Sequence, residues 1–447
     1  MRTAIVLTIL FATGAAHAVA QEVPRQLTLD DAIRIALQRN PAHRRVVNDE
    51  DVTAVAERAA WSQFLPNVSA SASTGITRSR TVTGQDDFGQ PIALRDPIDY
   101  RTSSANQTIS ASLTLFDGLS RVGSLRAARA ESRAAAARIA ASRNALIADV
   151  SRRYYTALQA RQRIALEEQL LASARERLEM TVQQLRVART HPEDVLGAQV
   201  DVARQELALE QARGNARKAE LDLLQAMGID DPVEIDPADD LPPPFDPDVL
   251  DEEALVARAL EAAPRLLELA ATAAAAGHAA GAVWWSRWPQ VSLQASFSRA
   301  MYLQSDEALF ELNPRNRTFS LGISAQVPLF SRFQVSQQIA QANAAAEDAR
   351  EALREERLRV ERDVRAALVD LRNAYRSLEL AERSAEFARQ RVELAQEKFR
   401  LGSLSFADLQ RFIDDAAREE RAAIDARFAW INAVIALEQH VGERVRP

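Results

Sequence analysis

The sequence predicts a mixed α+β membrane protein: four strands of membrane-barrel type per chain and two very long helical hairpins, arranged as an internal two-fold repeat. Three observations carry this. WSQFLPNVSASAS at Trp61 to Ser73 returns as WSRWPQVSLQASFS at Trp285 to Ser298. Each copy opens a pair of strictly alternating segments ending in Leu115-Phe116 or Leu329-Phe330. Each pair then gives way to a long stretch free of glycine and proline, from Gly123 to Pro192 and from Pro328 to Gly402. A repeat of this kind sets the architecture before any single residue does.

Helices precede the strands. LTLDDAIRIALQRN, Leu27 to Asn40, opens with Thr28 as a capping residue and Asp30 and Asp31 in the first turn, where the helix dipole favours negative charge. The rhythm resumes after Pro41 and runs to about Phe64, which predicts one helix with a kink or short break. Leu255 to Trp285 is its counterpart, with Pro264 in the equivalent place.

The strands alternate apolar with small polar residues. Val68, Ala70, Ala72, Thr74 and Ile76 face one way, and Ser69, Ser71, Ser73, Gly75 and Thr77 the other. Ile109, Ala111, Leu113 and Leu115 oppose Thr108, Ser110, Ser112 and Thr114. In the second copy Val291, Leu293, Ala295 and Phe297 oppose serines and Gln294, and Phe319, Leu321, Ile323, Ala325 and Val327 oppose Ser320, Gly322, Ser324 and Gln326. Segments of about ten residues with period two are the transmembrane-strand pattern. A soluble half-buried sheet also alternates, but its wet face would carry Lys and Glu. Polar, charged, proline-containing loops are expected over 84–100 and 304–317.

About 70 helical residues correspond to roughly 100 Å at 1.5 Å per residue. In the second copy Leu371, Tyr375, Leu378, Ala381, Ala385, Ala388, Val392, Ala395 and Phe399 recur at spacings of three and four, a coiled-coil seam rich in alanine. Turns at Arg189 to Pro192 and Leu401 to Leu404 lead into returning helices about half as long, able to stack end to end with the helices before the strands. The expected organisation is a signal peptide over 1–20 and a first repeat over 21–227, with strands near 67–83 and 101–116 and a hairpin over 118–227. An acidic, proline-rich linker or surface collar, rather than core, follows over 228–248. The second repeat covers 249–447, with strands near 290–303 and 317–330 and a hairpin over 331–442.

Composition excludes several functions. Net charge is −7, so no basic surface wide enough for nucleic acid is expected. The chain has no cysteine, which excludes disulfides, zinc thiolates, catalytic thiols and a lipid anchor on an N-terminal cysteine. Five histidines lie singly, so no metal or cofactor site is expected, and His191 reads as a turn residue. No nucleophile elbow or phosphate-binding glycine loop appears, and no enzyme is expected. The start, MRTAIVLTILFATGAAHAVAQE, reads as a secretory leader cut before Gln21. Beyond it, no stretch of roughly 20 continuous apolar residues is expected to cross a membrane as a helix.

Four strands alone leave open edges in lipid, so the chain must oligomerise. A dimer gives eight strands with a filled interior; a trimer gives twelve, wide enough for a lumen. Such a tube conducts rather than catalyses. The rival class is a soluble periplasmic coiled-coil adaptor, which shares long hairpins but lacks the repeated strand pairs.

LTLDDAIRIALQRNP, the entries FLPNVS and WPQVS, the exits LTLFDG and VPLF, and FRLGSLSFADLQ at the second hairpin turn occur in order and in duplicate. Together they resemble the TolC-like outer membrane efflux proteins over essentially the whole mature chain. The resemblance implies a homotrimer with a 12-stranded β-barrel in the outer membrane of a Gram-negative bacterium and a periplasmic α-helical coiled-coil barrel continuous with it. It implies an exit duct for efflux or type I secretion, joined through a periplasmic adaptor to an inner membrane pump that sets the substrate.

The family commonly places acidic residues at the periplasmic mouth. Asp408 matches the aspartate six residues after Gly402, and Asp194 is its repeat partner. Some members carry a second aspartate three residues on; here that position is Arg411, which puts a double acidic ring in doubt and could instead bridge to Asp408. The plainer alternative is that Asp408 favours the start of its helix. Leu401, Gly402 and Ser405, with Arg189 and Thr190 in the first hairpin, sit where family tips meet the adaptor; a turn glycine and a helix cap explain the same residues. Trp61, Phe64, Phe116, Trp285, Trp288 and Phe330 flank the strands, either as an aromatic girdle at the inner membrane interface or as helix-to-strand packing.

Overall fold

A computed structural model of the full chain describes residues 26–85, 88–187, 190–231, 233–238, 241–303, 312–401 and 403–445. The expected signal peptide lies outside them. The elements in order are β1 (Gln26–Leu27), α1 (Leu29–Arg39), α2 (Pro41–Ser62), β2 (Asn67–Gln85), β3 (Pro91–Phe116), α3 (Ser120–Arg186) and α4 (Pro192–Met227). After β4 (Asp236–Pro237) the pattern recurs as α5 (Glu252–Ala262), α6 (Pro264–Trp284), β5 (Gln290–Leu303), β6 (Asn316–Gln326), α7 (Gln334–Arg400) and α8 (Phe406–Val441).

The helices before the strands follow one plan twice. Thr28 Oγ1 accepts the Asp31 N–H at 3.2 Å at the start of α1, and an Asp251 carboxylate oxygen accepts the Glu253 N–H at 3.0 Å at the start of α5. Hydrogen bonds from Thr28 and then Arg34 hold the Asp31 carboxyl below the usual carboxylate range. Each helix breaks at an X-Pro step. Asn40 (ψ 120°) and Ala263 (ψ 114°) are extended because the following proline ring excludes the helical conformation. The kink or short break expected at each proline is therefore a break of one residue, with two helices in each repeat.

The chain divides into two compact units. One comprises the residues up to Asn40 with Leu146–Phe245 and Ala374–Ile435; the other comprises Pro41–Ala145, Asp246–Asn373 and the residues from Ala436. The first is helical apart from the parallel pair β1–β4. Its interior holds Tyr154, Leu158, Leu223, Met227, Leu378, Phe428 and Trp430. The Tyr154 hydroxyl lies 3.0 Å from the carbonyls of both Leu27 and Ala238 and ties the small sheet to α3. Ile235 is buried here too, so the 228–248 segment contributes to core, contrary to expectation. Its proline and acid content hides this, because one isoleucine sits among solvated neighbours. Arg421 makes a bidentate pair with Glu167 at 2.7 Å, which raises the arginine pKa further.

The second unit carries the main sheet, ordered β2-β3-β5-β6, antiparallel throughout, with β2 and β6 as open edges. β3 begins at Pro91, earlier than expected, because the hairpin continues its ladder past a register shift between Thr81 and Thr83. β6 stops at Gln326, since Pro328 lacks the N–H that would extend it. Leu329 and Phe330 therefore lie beyond the strand.

α6 corrects a second expectation. The stretch Pro264–Arg287 has mean hydropathy 1.3 and is long and apolar enough to cross a membrane by length and composition. Its apolarity is mostly alanine, which packs helices closely. A Cβ on Gly123 of α3 would stand 2.8 Å from the Ala282 Cβ. Glu268, 4% exposed, pairs with Arg138 at 3.0 Å and Arg265 at 2.7 Å.

Candidate hairpin-tip and barrel sites

The second hairpin tip is built around a serine cap. The Ser405 hydroxyl donates to the Asp408 carboxylate at 2.7 Å, and its oxygen accepts the Asp408 N–H at 3.1 Å. Arg411 Nη1 stands 3.5 Å from the other Asp408 oxygen. The two side chains are 78% and 46% exposed, so water screens the pair and it contributes at most about 1 kcal/mol. Ser403 closes the end of α7, its N–H and hydroxyl both reaching the Lys398 carbonyl. Leu404, Phe399 and Phe412 pack on Ala395, Leu409 and Ile413, fixing the turn from below. Leu401 is 78% exposed at the tip.

The first tip also centres on an aspartate but bonds it differently. The Thr190 hydroxyl donates to the Asp194 carboxylate at 2.5 Å, and the His191 N–H reaches the same oxygen at 3.3 Å. Pro192 opens α4, a position where its missing N–H costs nothing. Arg189 and Gly402 lie outside the described residues. Ser405 thus caps α8 through the Asp408 N–H, Asp194 accepts the His191 N–H at the start of α4, and Arg411 bridges to Asp408 within one chain. In the first repeat the place of Arg411 is taken by Gly197, where an added Cβ would stand 3.3 Å from the Phe406 ring.

A buried pair beside these tips escaped sequence reasoning. Arg177 of α3 and Asp201 of α4 meet at 2.6 Å, each side chain 8% exposed. Asp201 follows Ala198 at seam spacing and Arg177 follows Ala174, so both interrupt otherwise small or apolar positions. That interruption was the available signal, hidden by the many charges of α3 and α4.

At the sheet, direct cross-strand partners share a face. One face carries Val68↔Ala111, Ile109↔Phe297, Leu113↔Leu293, Ala295↔Leu321, Phe297↔Phe319 and Leu293↔Ile323. Val68, Phe319, Leu321 and Ile323 are each more than 60% exposed, an apolar surface that an isolated chain leaves bare. The other face carries the row Ser69↔Ser110↔Ser296↔Ser320. Hydroxyls pair at 2.8 Å in Ser69–Ser110, Ser296–Ser320 and Ser292–Ser324.

The flanking aromatics divide between surface and packing. Trp61, Phe64, Phe116, Trp288 and Phe330 are exposed, whereas Trp285 stacks edge-on to Trp284 at 4.9 Å and lies 5.5 Å from Trp288. Gly118 (φ 67°) sits against them: an added Cβ would stand 2.7 Å from the Trp288 Cβ and 2.8 Å from the Trp285 carbonyl oxygen. Arg121 lies 5.0 Å over the Phe64 ring and donates to the Asp117 carboxylate at 3.0 Å.

Comparisons with known proteins converge on one family. Protein CyaE of Bordetella pertussis is 27% identical over 349 residues, covering 77% of this chain and 69% of that protein. Among solved structures, a membrane protein from Pseudomonas aeruginosa aligns with a TM-score of 0.77 at 20% identity over 93% of each chain. The outer membrane protein VceC from Vibrio cholerae aligns at 0.76 with 16% identity over 94% of this chain and 97% of its own. The structural likenesses establish the fold, and the family model described as outer membrane efflux protein matches residues 32–229 and 255–443. The chain therefore belongs to the outer membrane efflux protein family.

Proposed function

We propose that three copies of the chain close a 12-stranded barrel in the outer membrane and conduct substrates outward from a periplasmic adaptor and inner membrane pump, in efflux or type I secretion. The observation that carries this is the four-stranded sheet with two open edges, one apolar face and one serine-lined face. In lipid each unpaired backbone group on β2 and β6 would cost several kcal/mol, so the edges need partners from other copies. Two copies would supply eight strands, too few for a lumen, whereas twelve leave an open interior. With the apolar face toward lipid, the serine rows line the conduit. Membership of the family sets aside the soluble adaptor as an alternative.

At the periplasmic end, three-fold symmetry would turn Asp408 and Asp194 into acidic rings and present Leu401, Ser405 and Thr190, with Arg189 and Gly402, to the adaptor. The hydrogen bonds from Ser405 to Asp408 and from Thr190 and His191 to Asp194 support a fixed carboxylate position, which a ring requires. Trp61, Phe64, Phe116, Trp288 and Phe330 would mark the inner membrane interface, and Trp285 the packing beneath it. The mature chain would carry neither the 1–20 leader nor an N-terminal lipid.

The test is the mass and conductance of detergent-extracted mature protein. The expected result is a trimer, three chains of 49.3 kDa less their leaders or about 140 kDa, that forms pores in planar bilayers. A water-soluble monomer or dimer without conductance would overturn the proposal.

A further inference from the structure

The apolar sheet face ends in arginines. Beyond Ile76 the same face of β2 continues with Arg78 and Arg80, and Arg101 of β3 stands directly opposite Arg78. On the other hairpin Arg299 follows Phe297 on that face, and Arg317 stands directly opposite it on β6. Two like-charged pairs placed directly across a ladder destabilise a sheet unless an anion joins them. Asp99 lies on that face 3.9 Å from Arg80, with both side chains more than 60% exposed, so this ion pair offsets little of the Arg80 charge. The serine-lined face carries no charged residue over the same rows. The arginines therefore do not reflect a generally charged strand end; they are confined to the face that would meet lipid.

We propose that these five arginines form a belt that binds the phosphate groups of a phosphorylated glycolipid in the outer leaflet. This rests on the reading that the sheet spans the outer membrane with its apolar face toward lipid. The ligand must meet an apolar band and a cluster of guanidinium groups at once, which selects an amphiphile whose phosphates sit next to its acyl chains. Arg78, Ser79, Arg80, Asp99 and Arg101 line a surface depression of about 490 Å³. Guanidinium forks match phosphate oxygens two at a time, which a lysine ammonium does not. Arg299 is held in place for this: its Nη1 donates to the Asn313 side-chain oxygen and its guanidinium lies 5.9 Å over the Phe297 ring. Phe297 belongs to the apolar band itself, so one cross-strand cluster joins both chemistries.

The experiment uses the full mature chain reconstituted in phosphatidylethanolamine vesicles. These contain either bisphosphorylated lipid A or its dephosphorylated form, and a third set holds no glycolipid but millimolar inorganic phosphate. Insertion is scored by heat-modifiable migration, and glycolipid co-purifying with the protein by mass spectrometry. The expected result is retention of bisphosphorylated lipid A at least about tenfold above the dephosphorylated form. Arg78→Gln/Arg101→Gln and Arg299→Gln/Arg317→Gln are each expected to reduce it about fivefold or more while insertion is unchanged. Equal retention of the two glycolipids by an inserted wild-type protein overturns the belt and leaves the membrane reading standing; it needs no variant to assemble. Phosphate-dependent heat stabilisation without glycolipid, equal in size to that given by lipid A, overturns the lipid assignment in favour of a simple anion site. A wild-type chain that does not insert overturns both the belt and the membrane reading.

Discussion

The junction from strand to long helix is made twice, and the two copies use different residues for the same bend. In the first repeat Gly118 and Leu119 take left-handed backbone angles (φ 67° and 72°); in the second Arg332 and Phe333 do so (φ 50° and 64°). The side chain before each pair caps the helix that follows. An Asp117 oxygen accepts the Arg121 N–H at 3.1 Å, and the Ser331 hydroxyl accepts the Val335 N–H at 3.5 Å. The bend is thus set by topology rather than by glycine. What demands glycine in the first copy is the tryptophan cluster pressed against it, since the second copy places an exposed Arg332 at the same conformation. A duplicated backbone can keep its geometry while the packing constraint survives in one copy.

Substitutions at equivalent positions should separate geometry from packing. Gly118→Ala is expected to have the larger effect of the two junction variants. It combines a left-handed penalty of about 1 kcal/mol with overpacking of about 1–3 kcal/mol against Trp288 and the Trp285 carbonyl. Arg332→Gly should be neutral or stabilising by up to about 1 kcal/mol, because only the conformational strain is relieved. Thermal unfolding midpoints of the two assembled variants decide it, and similar losses in both would mean the tryptophan contact carries no weight.

The helix-end glycines make the same contrast more narrowly. Gly228 (φ 72°) and Gly442 (φ 84°) end α4 and α8, but only Gly228 is crowded. A Cβ there would stand 2.7 Å from the Arg39 carbonyl oxygen, whereas the nearest atom to Gly442 is 3.9 Å away. Gly228→Ala should therefore cost about 1–3 kcal/mol more than Gly442→Ala, read from denaturant midpoints. Equal costs would reduce both sites to backbone strain.

Where the repeats agree, they should respond alike. Arginine at Leu113 or at Leu321 should destabilise by about 2–4 kcal/mol and block membrane assembly, whereas arginine at Ser112 should be tolerated. Equal tolerance on both faces would reverse the assignment of lipid and lumen.

The smallest stability effect belongs to the tips. Asp194→Ala should cost about 1 kcal/mol as a lost capping contact, whereas Asp408→Ala and Arg411→Ala should each cost less than about 0.5 kcal/mol, because Ser405 still caps α8. If the carboxylates also ring the mouth, Asp408→Ala alone or with Arg411→Ala changes single-channel conductance or cation block. Unchanged channels in both variants would leave Asp408 a partner of Ser405 only.

Much of this was legible in the chain because period and punctuation are local. Alternation located the four strands, the long glycine- and proline-free runs located α3 and α7, and Leu371, Leu378, Ala385, Ala388 and Ala395 are buried at the spacing read from sequence. What stayed hidden depends on partners distant in sequence. The early start of β3 at Pro91 follows from its pairing with the end of β2, which no composition signal announces. Ile235 is buried because β1, over 200 residues earlier, pairs beside it. Arg177 and Asp201 read as solvated charges until α3 and α4 are placed together. At the tips, Thr190, Asp194, Ser405 and Asp408 were legible as residues, but which group donates and which accepts came only with distances in hand.

The serine rows have a consequence for traffic. In each hydroxyl pair one proton lies between the two serines and the other stays free, so the wall offers passing solutes interchangeable donors and lone pairs, with no charge to hold them. A cargo sliding along such a wall meets many weak, interchangeable contacts and no deep well. In the proposed barrel, residence should then be brief and nearly the same for cargoes of different chemistry, with selection left to whatever feeds the conduit.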